Sequence, residues 1–228
     1  MKLSVIIPVY NERELLPKLL KKVEDVKGIN KEIIIVDDGS KDGTKDFLNT
    51  VRKKYKVVFH KKNQGKGMAI RTGLKHATGD IVIIQDADLE YDPNDYHKLI
   101  KPIIDGKANV VYGSRRLKKQ KEEYSSIGFY IGGLGLNLIA NILYPNLHIT
   151  DEATCYKVFK ADVINNLDLE CKRFEFCPEV TAKLAKRKIK IIEVPISYHP
   201  RSIKNGKKIN WKDGVEALWT LLKYRFRD

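Results

Sequence analysis

The sequence is poor in cysteine and lacks the glycine motifs common in nucleotide-binding proteins, and each absence removes a class of protein. Three cysteines in 228 residues, none in a C-x-x-C pair, exclude a disulfide scaffold and are typical of reduced thiols in a cytoplasmic protein. No G-x-x-x-x-G-K-[ST] occurs, which excludes a P-loop nucleotidase, and no G-x-G-x-x-G opens a helix after a strand, which disfavours a dinucleotide enzyme. The chain begins directly with a strand-like run, so no signal peptide is expected.

Positive charge is what the sequence has in excess. Its net charge is +14, and from residue 183 onward thirteen Lys or Arg residues stand against four Asp or Glu. This balance predicts an anionic partner, which charge alone leaves open among nucleic acid, a phosphorylated small molecule and an acidic membrane surface. Hydrophobic residues make up 43% of the chain, which is enough to bury a core in one domain of this length.

Apolar β-branched runs alternate with helical patterns in the first half of the chain. Strands are predicted over residues 3–9, 32–38, 56–59, 80–86 and 109–113, with helical segments between them. The runs are apolar throughout instead of alternating, which is typical of strands that are buried on both faces. The pattern therefore predicts an α/β fold with a mainly parallel sheet and helices on both faces.

Polar side chains follow three of these strands at the points where the strands end. In a parallel sheet these ends meet at one edge, where α/β proteins bind their ligands; the residues are 10–12, 37–40 and 86–88. If the last segment stays extended, Asp86, Asp88 and Glu90 point to the same side and repel one another unless a cation lies among them. Oxygen ligands favour Mg²⁺ or Mn²⁺, so we interpret this strand end as a metal site that holds a diphosphate; an acidic surface turn is the alternative.

The second half of the chain contains two apolar segments. Residues 126–145 form the most apolar stretch, but Asn137, Asn141 and several glycines favour a core or interfacial helix over a membrane span. The last segment predicts a C-terminal helical extension with an apolar face made by Trp211, Val215, Leu218, Trp219, Leu222 and Phe226. Packing of that helix on the domain and contact with a membrane both remain open.

The motifs, in their order along the chain, carry a resemblance. PVYNE, VDDGS, NQGKG and DADLEYDP are followed by GSR, TDEATCYKVF, RFEFCPEVTAKLAKR and EVPISYHPRSIKNGKKI. This series resembles family 2 glycosyltransferases of GT-A fold, and within them the polyprenyl-phosphate (dolichol-phosphate) mannose or glucose synthases. The resemblance covers nearly the whole chain. It implies a single domain over 1–228, with a nucleotide-sugar-binding half (1–113) and an acceptor-side half (114–228).

The resemblance also implies substrates and site residues. It implies a GDP-mannose or UDP-glucose type of donor, a Mg²⁺ or Mn²⁺ ion, a polyprenyl or dolichyl phosphate acceptor, and inversion at the anomeric carbon. By position, the residues implied to bind the nucleotide sugar are Pro8, Tyr10, Glu12, Val36, Asp38, Lys66, Asp86, Ala87, Asp88, Arg115, Arg201 and Lys207. The implied metal ligands are Asp86, Asp88 and Glu90, and the implied catalytic residues are Asp88, Arg115, Asp151 and Arg201. Cys155 stands where the family usually has Gly.

The location of the protein and its mechanism follow as expectations. Many relatives carry C-terminal transmembrane helices, whereas this chain stops at Asp228. The late positive charge, the apolar segment 126–145 and the Trp-bearing segment 211–226 lead us to expect a peripheral position on the cytoplasmic face of an anionic membrane, with a separate membrane-anchoring subunit as an option. A lipid phosphate can attack the sugar without a general base, whereas a hydroxyl acceptor would need one, for which Asp151 is the candidate. Residues 199–208 are predicted to form a lid over the diphosphate.

Three other functions compete with this interpretation. A nucleotidyltransferase would place a glycine-rich loop after the first strand, where this chain has PVYNE. A basic RNA-binding protein fits the charge but leaves the acidic strand ends unexplained, so no nucleic-acid partner is expected. A non-catalytic nucleotide-sugar binder is disfavoured because both Asp86 and Asp88 are present.

Overall fold

A computed structural model describes residues 1–117, 127–201 and 211–227 of the chain. Its seven strands form one sheet in the order β3-β2-β1-β4-β6-β5-β7. Their bounds are β1 Leu3–Val9, β2 Lys31–Asp37, β3 Lys56–Phe59, β4 Ile81–Ile84, β5 Val110–Ser114, β6 Lys157–Lys160 and β7 Ile191–Pro195. Only β6 pairs antiparallel with its neighbours, β4 and β5. The predicted mainly parallel α/β sheet is therefore confirmed.

Eight α-helices connect and extend these strands within the described residues. Their bounds are α1 Leu16–Asp25, α2 Thr44–Val51, α3 Lys66–Leu74, α4 Tyr96–Ile104, α5 Ile127–Leu143, α6 Ala161–Asn165, α7 Phe176–Lys186 and α8 Trp211–Phe226. One hydrophobic cluster packs α1, α2 and α4 on one face of the sheet. A second packs α3, α6 and α7 on the other, as expected for strands that are apolar on both sides.

A third cluster joins α5, α7 and α8 outside the sheet. On α8 its members are Ala217, Leu221 and Tyr224, and on α5 they include Leu136 and Ala140. The C-terminal helix therefore packs on the domain. It does so mainly through Ala217, Leu221 and Tyr224, and of the predicted apolar face Leu218 also packs against this cluster.

The predicted apolar face of α8 is largely exposed. Trp211, Val215, Trp219 and Phe226 each have more than half of their surface accessible, at 73%, 56%, 64% and 83%. The outer side of α5 carries a similar exposed row: Ile127, Ile131, Leu134, Leu138 and Ile142. Within the described residues, no helix combines the length and the hydropathy needed to cross a bilayer.

Candidate active site

A cleft of about 500 Å³ lies beyond the carboxyl ends of β1, β2 and β4. Because these strands run parallel, the loops that follow them reach the same edge of the sheet. The predicted site residues that line the cleft are Pro8, Tyr10, Glu12, Asp38, Lys66, Asp86, Ala87, Asp88, Glu90, Arg115 and Arg201. Val36 is buried inside β2 and Asp151 is buried beside Arg115, so neither lines the cleft. Lys207 and most of the predicted lid fall outside the described residues.

Asp38 holds the loop that forms one wall of the cleft. Its carboxylate accepts hydrogen bonds from the backbone N–H groups of Gln64, at 2.8 Å, and Gly65, at 2.7 Å. His60 Nδ1 lies 2.7 Å from the same carboxylate. Gly65 has φ +97°, and a Cβ there would collide with the carbonyl oxygen of Lys172, so this loop requires glycine. Asp38 thus shapes the pocket through its neighbours as well as facing it.

Lys66 neutralises Asp86, the first of the two aspartates that follow β4. It is the first residue of α3, and its Nζ lies 2.5 Å from Asp86 Oδ1 and 3.0 Å from Cys155 Sγ. Burial opposes the charge on Lys66, but the attraction of Asp86 outweighs it and raises the pKa of the lysine well above its usual value. Cys155 is not among the residues with positive φ, so the chain accommodates a side chain where the family has glycine.

Arg201 neutralises the second aspartate. Its Nη2 lies 3.3 Å from Asp88 Oδ2 and 3.2 Å from Glu12 Oε1. Burial, together with the nearby charges of Asp86 and Glu90, raises the pKa of Asp88 to about 7 despite this partner. Among the described residues, the buried Nε of Arg201 has no hydrogen-bond acceptor. Within the part of the chain that the structure describes, the guanidinium therefore keeps one N–H donor unused.

Glu90 departs from the predicted geometry. β4 ends at Ile84, and a turn follows in which Leu89 has φ +62°, so the segment is not extended and its acids do not share a face by strand periodicity. Instead, Glu90 accepts hydrogen bonds from the Arg201 backbone N–H and the Tyr198 hydroxyl, both at 2.8 Å. The described part of the chain contains no group of three or more His, Cys, Asp or Glu residues arranged to hold a metal. The segment after β4 is therefore not the extended strand end that the sequence predicted, whereas all three acids line the cleft and their role as metal ligands stays a prediction.

Arg115, which lines the cleft, and the buried Asp151 form a bidentate ion pair. Arg115 Nε and Nη2 each donate to the carboxylate at 2.6 Å, and the Arg115 backbone N–H donates at 3.0 Å. Burial opposes ionisation of Asp151, but Arg115 outweighs it and lowers the pKa of the carboxyl. Asp151 is 1% exposed. A buried carboxylate whose two oxygens are both occupied by Arg115 is poorly placed to act as a general base, and its contacts are those of a support for Arg115.

Glu152, next in the chain, is a fully buried acid. Neither of its carboxylate oxygens finds a hydrogen bond among the described residues. The nearby Lys157 Nζ donates to the Glu152 carbonyl oxygen at 2.7 Å and lies 3.6 Å from the centre of the Tyr112 ring. Burial raises the pKa of Glu152.

Several lining residues were not predicted individually. They are Val9, Asn63, Gln64, Tyr91, Ala153, Arg173, Phe174 and Tyr198. All eight lie inside the quoted motifs, so the motifs identify the segments that form the wall of the cleft but not which of their side chains face the cleft. Tyr198 has a clear contact role: its ring lies 4.9 Å from the Arg115 guanidinium carbon, and its hydroxyl binds Glu90.

Comparison with known proteins places this site in context. Residues 4–167 match the family model described as Glycosyl transferase family 2. A dolichol-phosphate mannosyltransferase of Pyrococcus furiosus is 32% identical over 96% of this chain and 62% of its own length. A UDP-N-acetylglucosamine–dolichyl-phosphate N-acetylglucosaminyltransferase of Methanococcus voltae is 31% identical over 96% of this chain and 94% of its own length. This chain therefore spans less than two thirds of the Pyrococcus protein but nearly all of the Methanococcus one.

Solved structures show the same fold at low identity. Glucosyl-3-phosphoglycerate synthase from Mycobacterium tuberculosis, in complex with Mn²⁺, UDP and glucosyl-3-phosphoglycerate, superposes with a TM-score of 0.75. It is 19% identical, and the match covers 98% of this chain and 79% of that one. The same enzyme with Mg²⁺ and UDP gives a TM-score of 0.76 at 19% identity over 98% of this chain and 79% of that one. These matches confirm the predicted GT-A fold.

Proposed function

Because the chain belongs to glycosyl transferase family 2, we propose that it transfers a hexose from a nucleotide-diphosphate sugar to a polyprenyl phosphate. The donor is of the GDP-mannose or UDP-glucose type. The names of the relatives support the acceptor, since those from Pyrococcus and Methanococcus both act on dolichyl phosphate. The observation that carries the proposal is the cleft itself, where Asp86 and Asp88 each face a protein cation that a diphosphate could engage instead.

The nucleotide-sugar half of the site comes from residues 1–113. Pro8, Tyr10, Glu12 and Asp38 line the part of the cleft next to β1 and β2, where we propose that the base and ribose bind. Val36 supports this wall from within β2. Ala87 lies between the two aspartates and leaves room beside them.

The carboxylates of Asp86 and Asp88 fit a divalent metal. Two hard oxygen donors leave coordination positions for phosphate oxygens and water, which is how Mg²⁺ and Mn²⁺ sites on diphosphates are commonly built. The bound ion would supply charge stabilisation for the leaving diphosphate. Glu90 is better placed to anchor the backbone of Arg201 than to bind the ion directly.

Lys66, Arg201 and Arg115 provide the cationic side of the cleft. We propose that Lys66 and Arg201 turn from the aspartates to the donor diphosphate when donor and metal bind. The buried Nε of Arg201, which has no acceptor among the described residues, is a donor that a phosphate oxygen would satisfy. Lys207 belongs to this set by position, and we propose the same role for it.

The proposed reaction needs no general base. An oxygen of the acceptor phosphate, already an anion near neutral pH, attacks C1 of the hexose and forms the new C1–O bond. The bond from C1 to the diphosphate oxygen breaks, and its electron pair leaves with the nucleoside diphosphate. A single displacement inverts the configuration at C1. Arg115, held by Asp151, is proposed to neutralise the acceptor phosphate beside an anionic donor.

The exposed apolar rows of α5 and α8 support a peripheral membrane position. Large apolar side chains at the surface, accompanied by an excess of basic residues late in the chain, are typical of helices that lie in an anionic interface. Each basic residue near such a surface contributes about 1 kcal/mol. We propose binding to the cytoplasmic face of a membrane, either directly or with the help of a separate anchoring subunit.

A transfer assay tests the proposal. Purified protein, Mn²⁺, a short-chain polyprenyl phosphate and radiolabelled nucleotide sugars are combined, and label entering the organic phase is counted. We expect label there with one donor and none after chelation by EDTA. Label on a soluble glycan or protein hydroxyl, with none on lipid phosphate, would overturn the proposed acceptor and keep the transferase. A filter-binding assay with RNA tests the RNA-binding alternative. RNA binding that does not depend on Mg²⁺, together with no sugar transfer to any acceptor, would support that alternative.

A further inference from the structure

Side chains bind the backbone N–H groups of all four residues in the segment 149–152, which carries Asp151. The N–H of Ile149 donates to Asn141 at 3.0 Å, and that of Glu152 donates to Asn137 at 2.7 Å. Those of Thr150 and Asp151 donate to Glu193, at 2.8 and 3.0 Å. The segment lies between α5 and β6 and belongs to neither, so these side chains replace the hydrogen bonds of a helix or strand.

Asn137 brackets Asp151 from both sides. Its Nδ2 donates to the carbonyl oxygen of Thr150, while its Oδ1 accepts from the N–H of Glu152. The buried side-chain amide of Asn137 therefore fixes both peptide groups that flank Asp151. Asn141, one turn further along α5, makes the same pair of hydrogen bonds to Ile149 alone.

We infer that Asn137 is a positioning residue that sets the orientation of Arg115 through Asp151. The inference rests on the proposed function, in which Arg115 faces a phosphate in the cleft. The bidentate pair transmits the orientation, because two parallel N–H···O bonds define both the distance and the plane of the guanidinium. Displacement by about 1 Å can lower turnover by roughly 100-fold at such a site.

The hydrogen bonds that Asn137 of α5 makes lie on the acceptor side of the cleft. The residues proposed to hold the base and ribose lie on or directly after β1 and β2, and the hydrogen bonds that Asn137 makes within the described residues reach none of them. Loss of Asn137 should therefore change turnover and the acceptor KM while leaving nucleotide affinity intact. Loss of a residue that matters only for folding would instead weaken turnover, acceptor binding and nucleotide binding together.

Asn137→Leu and Asn141→Leu form a matched pair for the test. Each removes two hydrogen bonds from the same side of α5 and leaves one N–H and one carbonyl group unpaired. Their melting temperatures should fall by similar amounts. We expect kcat to fall about tenfold or more in N137L and less than about threefold in N141L, with Kd for the nucleoside diphosphate within about twofold of wild type in both.

The second readout does not depend on activity. The Arg115 Nε–H, bound to Asp151 at 2.6 Å, should give a protected signal in ¹⁵N NMR of the wild-type protein. That protection should be lost in N137L and kept in N141L.

Should N137L not fold, Asn137→Ser replaces it. Equal kcat losses in the two variants, or a protected Arg115 signal in N137L, would overturn the inference. If wild-type protein transfers sugar to no polyprenyl phosphate, the proposed function fails, and the NMR comparison still decides the role of Asn137.

Discussion

The guanidinium of Arg201 lies 3.3 Å from the carboxylate of Asp88, so a protein cation neutralises an aspartate that we propose as a metal ligand. Lys66 bears the same relation to Asp86, at 2.5 Å. Both acids are therefore balanced before any ligand binds. When donor and metal bind, the metal ion then has to replace Lys66 and Arg201 as the cation beside the aspartates. The donor diphosphate in turn has to replace the aspartates as the anion beside Lys66 and Arg201.

Asp88→Asn should weaken donor binding in the presence of metal. The amide removes one anionic oxygen from a two-carboxylate site, and we expect the Kd for a nucleotide sugar with Mn²⁺ to rise about tenfold or more. Isothermal titration with and without EDTA measures this. Asp162→Asn, whose side chain is 62% exposed and contacts Lys160 at 3.5 Å, is the control and should bind donor like wild type. Wild-type affinity in D88N, insensitive to EDTA, would contradict the metal site.

Arg201→Gln should bind metal more tightly in the absence of nucleotide. Removing the cation beside Asp88 leaves that carboxylate free to attract Mn²⁺, and we expect affinity to rise about tenfold. This is ~1.4 kcal/mol, less than the Coulomb energy of two charges about 4 Å apart near a protein surface. Affinity for the nucleoside diphosphate should fall in the same variant, because Arg201 no longer reaches it.

Electron paramagnetic resonance of free Mn²⁺ measures the first effect, and titration calorimetry the second. Arg52→Gln is the control, since Arg52 is exposed at the C-terminal end of α2 and does not line the cleft. If R201Q shifted both affinities downward, Arg201 would be a general support of the site instead of a competitor of the metal.

The sequence predicted the half of the fold that local patterns control. β1 and β3 occupy the predicted residues, because unbroken apolar β-branched runs bounded by polar residues leave little choice. No pattern predicted β6, whose four residues enter the sheet between β4 and β5. Its place depends on pairing between distant parts of the chain, which short-range periodicity does not encode.

Sequence periodicity did not determine two local features. Strand periodicity was extended past Ile84, but Leu89 adopts φ +62°, which a sequence does not announce at a non-glycine residue. On α8, the apolar face was identified correctly, yet the helix packs through Ala217 and Leu221 on another side. Periodicity finds the apolar face of a helix but cannot tell whether the protein covers it or leaves it for a partner.

Glu152→Gln should raise the stability of the protein at neutral pH. Burial raises the pKa of Glu152 above its usual 4.5, so the folded protein retains a proton that the unfolded chain loses. Its contribution to stability is therefore present below about pH 4.5 and is lost as pH rises toward the folded pKa. We expect E152Q to remove this fall, so that its unfolding free energy exceeds that of wild type more at pH 7 than at pH 5, measured with urea.

Glu24→Gln provides a control of opposite sign. Lys54 and Tyr55 lower the pKa of Glu24, so its contribution is present above about pH 4.5 and is lost as pH falls. E24Q should be less stable than wild type at pH 7, and the difference should shrink in acid. A stability profile for E152Q parallel to that of wild type would show that Glu152 is ionised in the folded protein.

Trp219→Glu and Leu138→Glu should each release the protein from anionic membranes. Trp219 on α8 is 64% exposed and Leu138 on α5 is 62% exposed, so neither substitution disturbs a buried contact. Inserting a large apolar side chain into a membrane interface contributes roughly 1.5–3 kcal/mol, so the partition coefficient of each variant onto vesicles with anionic lipid should fall about tenfold or more.

Added salt should also weaken the binding of the wild-type protein to these vesicles, because it screens the basic residues near the surface. Ile104→Glu is the matched control: Ile104 ends α4, is 53% exposed, and lies on neither helix. Sedimentation with vesicles should show I104E bound like wild type. Equal release of all three variants would mean that the added charge, and not the location of the apolar rows, governs binding.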